Sequence, residues 1–174
     1  MGVSFNLHKF DPKHSKEIQF QGDATITDHH IIRLTNLDDE GNPLGNRVGR
    51  VLFSDPMHLY DHSGFRAGFE TIFVFRISKP YNTDYTPGPA DELLLLNLIL
   101  FPIPSLIPII PTYNSAHKKL TVHVSTYLHT QPDTLTYDVD LSTKLPEKVK
   151  VGLSASTGRF SQNTEILSWI FKSN

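Results

Sequence analysis

Cysteine is absent from this chain of 174 residues. Disulfide bonds and thiolate metal sites are therefore excluded, and cysteine usage says nothing about the cellular compartment. The chain also lacks a block of one charge, since 16 basic and 18 acidic residues are interspersed and give a formal net charge of −2. Without a basic stripe to follow phosphate groups, we expect no nucleic-acid partner.

The amino terminus lacks the pattern of a secretory leader, which is a basic start followed by an apolar core. Met1 runs directly into VSFNLHKF, in which apolar and polar residues alternate. If the protein is secreted, we expect this sequence to be a mature or recombinant form.

One apolar run, LLLLNLILFPIPSLIPII at residues 93–110, is long enough to suggest a membrane span. Its prolines argue against a helix, because each lacks a backbone N–H and costs about 3 kcal/mol inside one. The composition instead predicts a buried strand at 92–101, followed by an extended segment at 102–111 that is punctuated by proline. We therefore expect no membrane span.

Most other segments alternate with a period of two residues, which is typical of half-buried strands. In GFRAGFETIFVFRIS, Phe69, Phe73 and Phe75 fall on one face, and Glu70 and Arg76 fall on the other. Helical periodicity is missing, except for about one turn near residues 145–148. The predicted strands outside the long apolar run lie at 4–10, 17–21, 31–36, 47–53, 65–77, 120–128, 135–141, 148–156 and 165–171.

The strands at 120–128 and 135–141 flank HTQPD, which has the composition of a hairpin turn. On the second of them, Leu135 and Tyr137 share one face, so we expect that face to be buried. Many short strands at regular spacing predict an all-β fold, an antiparallel β-sandwich formed by one domain over residues 1–174.

No constellation of residues predicts an enzyme. Asp138 and Asp140 share a strand face, as paired carboxylates of a glycoside hydrolase share a cleft, but such a pair on a polar face is ordinarily solvated. His117, His123 and His129 also share a face, yet six residues at about 3.3 Å each place neighbours about 20 Å apart. We expect no catalytic residue, and we identify no set of metal ligands.

Three stretches together resemble the legume lectin family. They are VSFNLHKFDPKHSKEIQFQGDATIT at 3–27, NRVGRVLFSDPMHLYDHSGFRAGFETIFVFRI at 46–77 leading to PAD at 89–91, and LTYDVDLSTKLPEKVKVGLSASTGRFSQNTEILSWIF at 135–171. The resemblance implies a concanavalin-like jelly roll, in which a back sheet, a curved front sheet and a short top sheet form a flattened sandwich. It also implies a non-enzymatic plant protein that binds carbohydrate.

The resemblance further implies a sugar site. Asp91 would accept hydrogen bonds from ring hydroxyls, and the backbone N–H groups of the last binding loop, after STG at 156–158, would donate them. The candidate carbohydrate-binding residues are Ala90, Asp91, Arg159, Phe160, Ser161 and Gln162. The short spacing from STG to LSW at 167–169 is similar to that of mannose- and glucose-binding members, so the resemblance favours those sugars.

Cofactors, partners and location also follow from the resemblance. In the family, calcium and a transition metal such as manganese lie behind the sugar site, so both are implied here, although no ligands for them are identifiable in this sequence. Glycans or glycoproteins are the implied partners, and a secreted or seed-vacuolar protein with a storage or defence role is the implied setting. Homodimers or tetramers are implied too, and the predicted strands 4–10 and 165–171 are candidate pairing edges.

The interval 97–113 departs from the family and indicates a deletion or a gap in the sequence. The family supplies its metal-binding acids, asparagine and histidine there, whereas residues 98–111 hold no carboxylate and no histidine. ADE at 90–92 also replaces the usual ADG, so Glu92 adds bulk and charge beside Asp91. Three explanations stay open: a lectin-like defence, inhibitor or storage protein that has lost metal and sugar binding, a truncated product, or an incomplete sequence. A complete chain of this length should leave the front sheet without central strands.

Overall fold

The computed structural model describes residues 2–11, 16–78, 106–125, 131–159 and 161–174. Nearly all regular structure in these ranges is strand, and no helix within them is long and apolar enough to cross a membrane. The elements are β1 (Ser4–Leu7), β2 (Ile18–Gly22), β3 (Thr25–Ile26), β4 (Ile32–Arg33), β5 (Val48–Phe53), β6 (Met57–His58), β7 (Phe69–Ser78), β8 (Leu106–Asn114), β9 (Lys119–Val124), β10 (Asp133–Asp138), a 3-10 turn (Leu141–Thr143), β11 (Lys148–Val149), β12 (Gly152–Ser156) and β13 (Asn163–Ser173).

The described strands form two sheets and one ribbon. The large sheet has the order β10-β9-β8-β7-β13-β4-β3, with β1 also paired to β13, and the small sheet has the order β12-β5-β2. Strands β11 and β6 make the separate two-stranded ribbon. All of these pairs are antiparallel, which confirms the predicted all-β antiparallel sandwich.

The core lies between the two sheets and is built by the alternation that the sequence shows. Phe5 of the large sheet stacks on Phe53 of the small sheet, with ring centroids 4.1 Å apart, and meets the edge of Trp169 at 4.8 Å. Trp169 is fully buried, and Phe73 and Phe75 lie beside it on β7. Aromatic rings therefore carry much of the contact between the sheets, and such pairs add about 0.5–1.5 kcal/mol each beyond their burial.

Strand β8 shows that residues 106–111 of the extended segment predicted at 102–111 form a regular strand of the large sheet. It contains Pro108 and Pro111, yet it lies between β7 and β9 inside the large sheet. The β7–β8 register is the same on both sides of residues 71 and 72, where the described strands form no pair. Residue 71 lies opposite Pro111, which has no N–H to donate, so the ladder is interrupted at the proline and resumes beyond it. The predicted strand 92–101 lies outside the described residues.

Three other features of the strands and turns differ from the sequence-based prediction. The predicted strand 148–156 is two strands, because β11 pairs with β6 whereas β12 pairs with β5. The short helical turn is at Leu141–Thr143, a few residues before the predicted position. Strand β13 lies between β7 on one side and β4 and β1 on the other, so the carboxy-terminal strand is not the sheet edge that was predicted.

Strand β10 confirms the predicted hairpin with β9 but corrects its predicted burial. Asp133 pairs with Val124 and Asp138 with Lys119, so the two strands run antiparallel on either side of the turn. Leu135 is 71% exposed and Tyr137 is 68% exposed. The small sheet has three strands within the described ranges, against eight in the large sheet, and β10 lies at the far edge of the large one.

A buried carboxylate ties three strands of the large sheet together. Glu165 of β13 is 5% exposed and pairs in register with Arg33 of β4 and Arg76 of β7. The Arg76 Nε donates to Glu165 Oε2 at 2.9 Å, and the Arg33 Nη2 lies 3.6 Å from Oε1. Each oxygen therefore faces a guanidinium, which offsets the cost of burying the charge.

Asp140 fixes the connection that follows β10. Its carboxylate accepts hydrogen bonds from the backbone N–H and the hydroxyl of Ser142, and it pairs with the Lys118 Nζ at 2.8 Å. The Lys118 ammonium, followed by the Ser142 hydroxyl, lowers the pKa of Asp140 to about 2. The charged carboxylate thus caps the 3-10 turn and holds it against the turn between β8 and β9.

We expect Thr71→Val to destabilise the fold by about 1–3 kcal/mol, because it removes the hydroxyl that accepts the hydrogen bond of the buried Trp169 Nε1 at 3.0 Å. Urea titration followed by the fluorescence of Trp169, the single tryptophan, measures this change. Thr136→Val, on exposed β10, is the matched control and should stay within about 0.5 kcal/mol of the wild type. Equal midpoints for the two variants would show that the buried hydrogen bond contributes nothing.

Candidate functional site

The candidate site centres on residues 157–162, which connect β12 of the small sheet to β13 of the large sheet. We call this segment the β12–β13 loop. It contains the predicted binding residues that follow STG. Its first residue, Thr157, is buried, with 8% of its surface exposed.

Thr157 clamps the start of the β12–β13 loop to an earlier part of the chain. Its N–H donates to the Arg47 carbonyl oxygen at 2.8 Å, and its hydroxyl donates to the Leu44 carbonyl oxygen at 2.8 Å. The same hydroxyl accepts from the Arg47 N–H at 3.0 Å. One side chain therefore satisfies two backbone groups that would otherwise be unpaired in a partly buried turn.

A close backbone approach continues the clamp beyond Thr157. The Asn46 N–H donates to the Gly158 carbonyl oxygen at 2.8 Å, and Asn46 has a left-handed φ of 55°. A Cβ at Gly45 would lie 2.9 Å from that same carbonyl oxygen. Glycine at position 45 thus allows the two segments to approach, and asparagine is among the residues that best tolerate the left-handed conformation.

The far end of the β12–β13 loop is held by Thr35, which is fully buried. Its hydroxyl donates to the Gln162 carbonyl oxygen at 2.9 Å and accepts from the Thr164 N–H at 3.1 Å. The Leu34 N–H donates to the Thr164 carbonyl oxygen at 2.9 Å. Both ends of the loop are therefore fixed by hydrogen bonds from distant parts of the chain.

The predicted site residues divide between described and undescribed parts of the chain. Arg159, Ser161 and Gln162 lie on the β12–β13 loop, with Arg159 exposed and the other two half-buried. Phe160, Ala90 and Asp91 lie outside the described residues. The described site residues are neighbours in sequence on one loop, and their role in binding and the position of the aspartate stay predictions.

Sequence reasoning missed the residues that support the loop. Thr35, Asn46 and Thr157 act through hydrogen bonds to residues far away in sequence, and only the STG motif gave a signal for one of them. Two buried side-chain atoms, Gln162 Nε2 and Asn163 Oδ1, have no hydrogen-bond partner among the described residues. The Asn163 Nδ2 donates to the Ser78 hydroxyl at 3.3 Å, which ties the loop to the end of β7 that leads in sequence towards Asp91.

The described residues do not fit a calcium or manganese site. Hard cations need about six oxygen ligands, including carboxylates, around one point. No group of three or more histidine, aspartate or glutamate side chains in the described ranges could hold a metal ion. Residues 98–111 carry no carboxylate or histidine to add to them. The oxygen and nitrogen donors of the described residues therefore differ from the metal ligands that the family resemblance implies.

The antiparallel sandwich and the clamped loop that joins its two sheets define a protein of the lectin-like β-sandwich class. The legume lectin domain model matches residues 2–90 and 107–174. The chain therefore belongs to the legume lectin family, which is a family of non-enzymatic, carbohydrate-binding proteins.

Individual relatives agree with this assignment. The chain is 32% identical to the Flt3 receptor-interacting lectin of Lablab purpureus, over 99% of this chain and 89% of that protein. Its fold is similar to that of the winged bean acidic lectin solved with methyl-α-D-galactose, with a TM-score of 0.80, 26% identity and coverage of 100% and 99% of the two chains. Arcelin-5, a lectin-like defense protein of Phaseolus vulgaris, shares the fold at a TM-score of 0.79 and 21% identity over 99% and 98% of the chains.

The comparisons also show differences between this chain and the family. The family model leaves residues 91–106 unmatched, a range that overlaps the predicted deletion at 97–113. The alignment with the Lablab purpureus lectin spans 244 positions, 70 more than the 174 residues of this chain. At least that many aligned positions of the relative have no counterpart here.

We expect Thr157→Val to release the start of the β12–β13 loop while keeping the shape of the side chain. The Arg47 amide loses its acceptor, so its hydrogen exchange should accelerate by about tenfold or more, equivalent to about 1.4 kcal/mol. Exchange of individual amides measured by NMR checks this. Ser156→Ala, at the exposed neighbouring position, is the control and should leave that amide protected. Unchanged protection in Thr157→Val would mean that other contacts hold the loop.

Proposed function

We propose that this protein binds glycans without catalysing a reaction, and that it prefers mannose or glucose. The observation that carries the proposal is the β12–β13 loop, which is held at both ends by Thr157 and Thr35. Asp91 is proposed as the principal acceptor, with Ala90 before it, and the loop supplies the donors. In this arrangement the site lies where the small sheet passes into the large one.

Fixed loops suit the recognition of hydroxyl-rich ligands. A sugar presents several hydroxyl groups, each of which is both donor and acceptor, and their binding requires polar groups at set positions. A backbone that is already ordered loses less conformational entropy when the ligand binds, so more of the interaction energy appears as affinity. The hydrogen bonds at residues 35, 46 and 157 fix the two ends of the loop before any sugar arrives.

The preference for mannose or glucose rests on loop length. From STG at 156–158 to LSW at 167–169 the chain has eight intervening residues, 159–166, which is short enough to resemble the mannose- and glucose-binding members. Membership of the family supports sugar binding in general, since the winged bean acidic lectin was solved with a galactoside. The proposed preference between the two sugar classes therefore rests on the length of the β12–β13 loop in this chain.

A second candidate function is that of a lectin-like protein that acts on a protein partner in defence. It is favoured by the range 91–106, which the family model does not match, and by the absence of a metal-ligating group among the described residues. A legume lectin fold without a metal-supported sugar site would keep its sheets and surface loops, which are available for contact with a protein.

Binding to a glycan array should be concentrated on terminal mannose or glucose and should be inhibited by methyl α-D-mannopyranoside. We expect Asp91→Asn to weaken this binding about tenfold or more, because a neutral amide replaces a charged acceptor. Asp55→Asn changes the same group at an exposed position of the turn after β5 and is the matched control. Titration calorimetry of the purified variants measures the ratio.

Two outcomes would contradict the first candidate. Selective binding of galactosides would overturn the proposed sugar preference, and a chain that binds no glycan with calcium and manganese supplied would overturn glycan binding itself. In the second case, stoichiometric inhibition of a digestive hydrolase by the same preparation would establish the protein-directed function.

We further propose that the protein assembles as a homodimer or tetramer. Strand β1 pairs with β13 on one side, and within the described residues no strand pairs with its other side. Such an edge presents unpaired backbone groups that a second copy can cover. Light scattering during size-exclusion chromatography should give at least twice the chain mass of 19.7 kDa. A mass equal to one chain at every concentration would refute the assembly.

A further inference from the structure

A groove on the outer face of the large sheet has no part in the proposed sugar site. It has a volume of about 650 Å³ and lies over β8, β9 and β10, on the side away from the small sheet. All six of its lining residues are polar: Thr112, Asn114, His117, Lys119, Thr121 and Asp138. We call this surface the outer groove.

Strand register places these side chains together. Thr112 pairs with Thr121 across β8 and β9, and Lys119 pairs with Asn114 on one side and Asp138 on the other. Paired residues on one face of a sheet have Cβ atoms about 4.5–5.5 Å apart. One row of hydrogen-bonding groups therefore crosses three strands, and a second row, Thr112 and Thr121, crosses two of them. Alternate residues such as the buried Tyr113 face the core instead.

The turn between β8 and β9 closes one end of the outer groove in a fixed shape. The Asn114 Oδ1 accepts a hydrogen bond from the His117 N–H at 3.0 Å. Lys118 has a left-handed φ of 52°, its carbonyl oxygen accepts from the Val139 N–H at 2.7 Å, and its ammonium pairs with Asp140 at 2.8 Å. The His117 ring is thus carried on a turn that is bonded on both sides.

The charges of the outer groove favour an uncharged ligand. The Lys119 Nζ lies 3.7 Å from Asp138 Oδ1, and the two side chains are 48% and 81% exposed. An exposed pair of this kind is weak, so either group can exchange its partner for a ligand hydroxyl. Threonine hydroxyls and an asparagine amide add uncharged donors and acceptors, and the His117 ring adds two nitrogen atoms that can form hydrogen bonds.

We propose that the outer groove is a second binding site for a neutral, hydroxyl-rich ligand of the saccharide class. The nine residues of β8 separate it from the β12–β13 loop, since Leu106 pairs with Arg76 at the loop end of the sheet and Asn114 lies at the groove end. At about 3.3 Å per residue the two sites are roughly 25 Å apart. One monosaccharide cannot bridge them, so the sites bind independently.

The test is a titration of the full ¹⁵N-labelled chain with methyl α-D-mannopyranoside and, separately, with methyl α-D-galactopyranoside, followed by NMR. We expect the amides of Thr112, Lys119 and Thr121 to shift with one of these probes. Asp138→Asn should weaken that response about fivefold or more through loss of a charged acceptor. Asp133→Asn, at the other end of β10 and outside the groove lining, is the matched control and should leave it unchanged.

The two sites have separate readouts. Shifts confined to the amides of Gly158, Arg159, Ser161 and Gln162 would overturn the outer groove and leave the proposed sugar site standing. Shifts confined to the groove amides would support the outer groove while removing the proposed sugar site. If neither the loop amides nor the groove amides shift with saturating amounts of both probes, both proposed sites are overturned. A response of the groove amides that persists unchanged in Asp138→Asn would overturn the outer groove as a binding site that uses the Asp138 carboxylate.

Discussion

The pairing of β13 with β7 is the interaction on which the other parts of the structure depend. The ladder runs from Asn163 opposite Ser78 to Ser173 opposite Phe69, and the other side of β13 holds β4 and β1. A bulge between Ile166 and Ser168 turns both Ile166 and Trp169 towards the core, although they are three residues apart. The same strand thus sets the width of the large sheet, supplies its central aromatic residue and begins where the β12–β13 loop ends.

The loop depends on this strand for its position. Thr35 follows β4 by two residues, and β4 pairs with β13, so the hydroxyl of Thr35 reaches the strand start that it fixes. Thr157 completes the attachment from the side of the small sheet. A site formed in this way depends on long-range pairing as much as on its own residues, which is why its geometry is tied to the stability of both sheets.

Local periodicity was enough to predict most of the strands. The alternation around Phe73 and Phe75 located β7, and the family resemblance located the loop after STG.

The wrong predictions concern residues whose structure depends on a partner far away in sequence. Pro108 and Pro111 argue locally against a strand, yet β8 forms because β7 and β9 pair with it on both sides of the interruption. Leu135 follows the alternation of a buried residue, yet it is exposed. The prediction was wrong because the sequence does not show whether a second sheet covers the strand. The clamp of Thr157 on residues 44–47 spans more than a hundred residues and has no local signature.

The ends of the chain meet in the same ladder, and this has a consequence for synthesis on the ribosome. The Val3 carbonyl oxygen accepts from the Ser173 N–H at 2.8 Å, and β1 has β13 as its strand partner among the described residues. At about 5–20 residues per second, the first strand emerges roughly 10 to 30 s before the last one exists to receive it. During that time Phe5, which is buried in the finished fold, lacks its contacts with Trp169 and Phe171 of β13. Until residues 163–173 have been synthesised, the nascent chain therefore keeps apolar surface exposed that the finished fold buries.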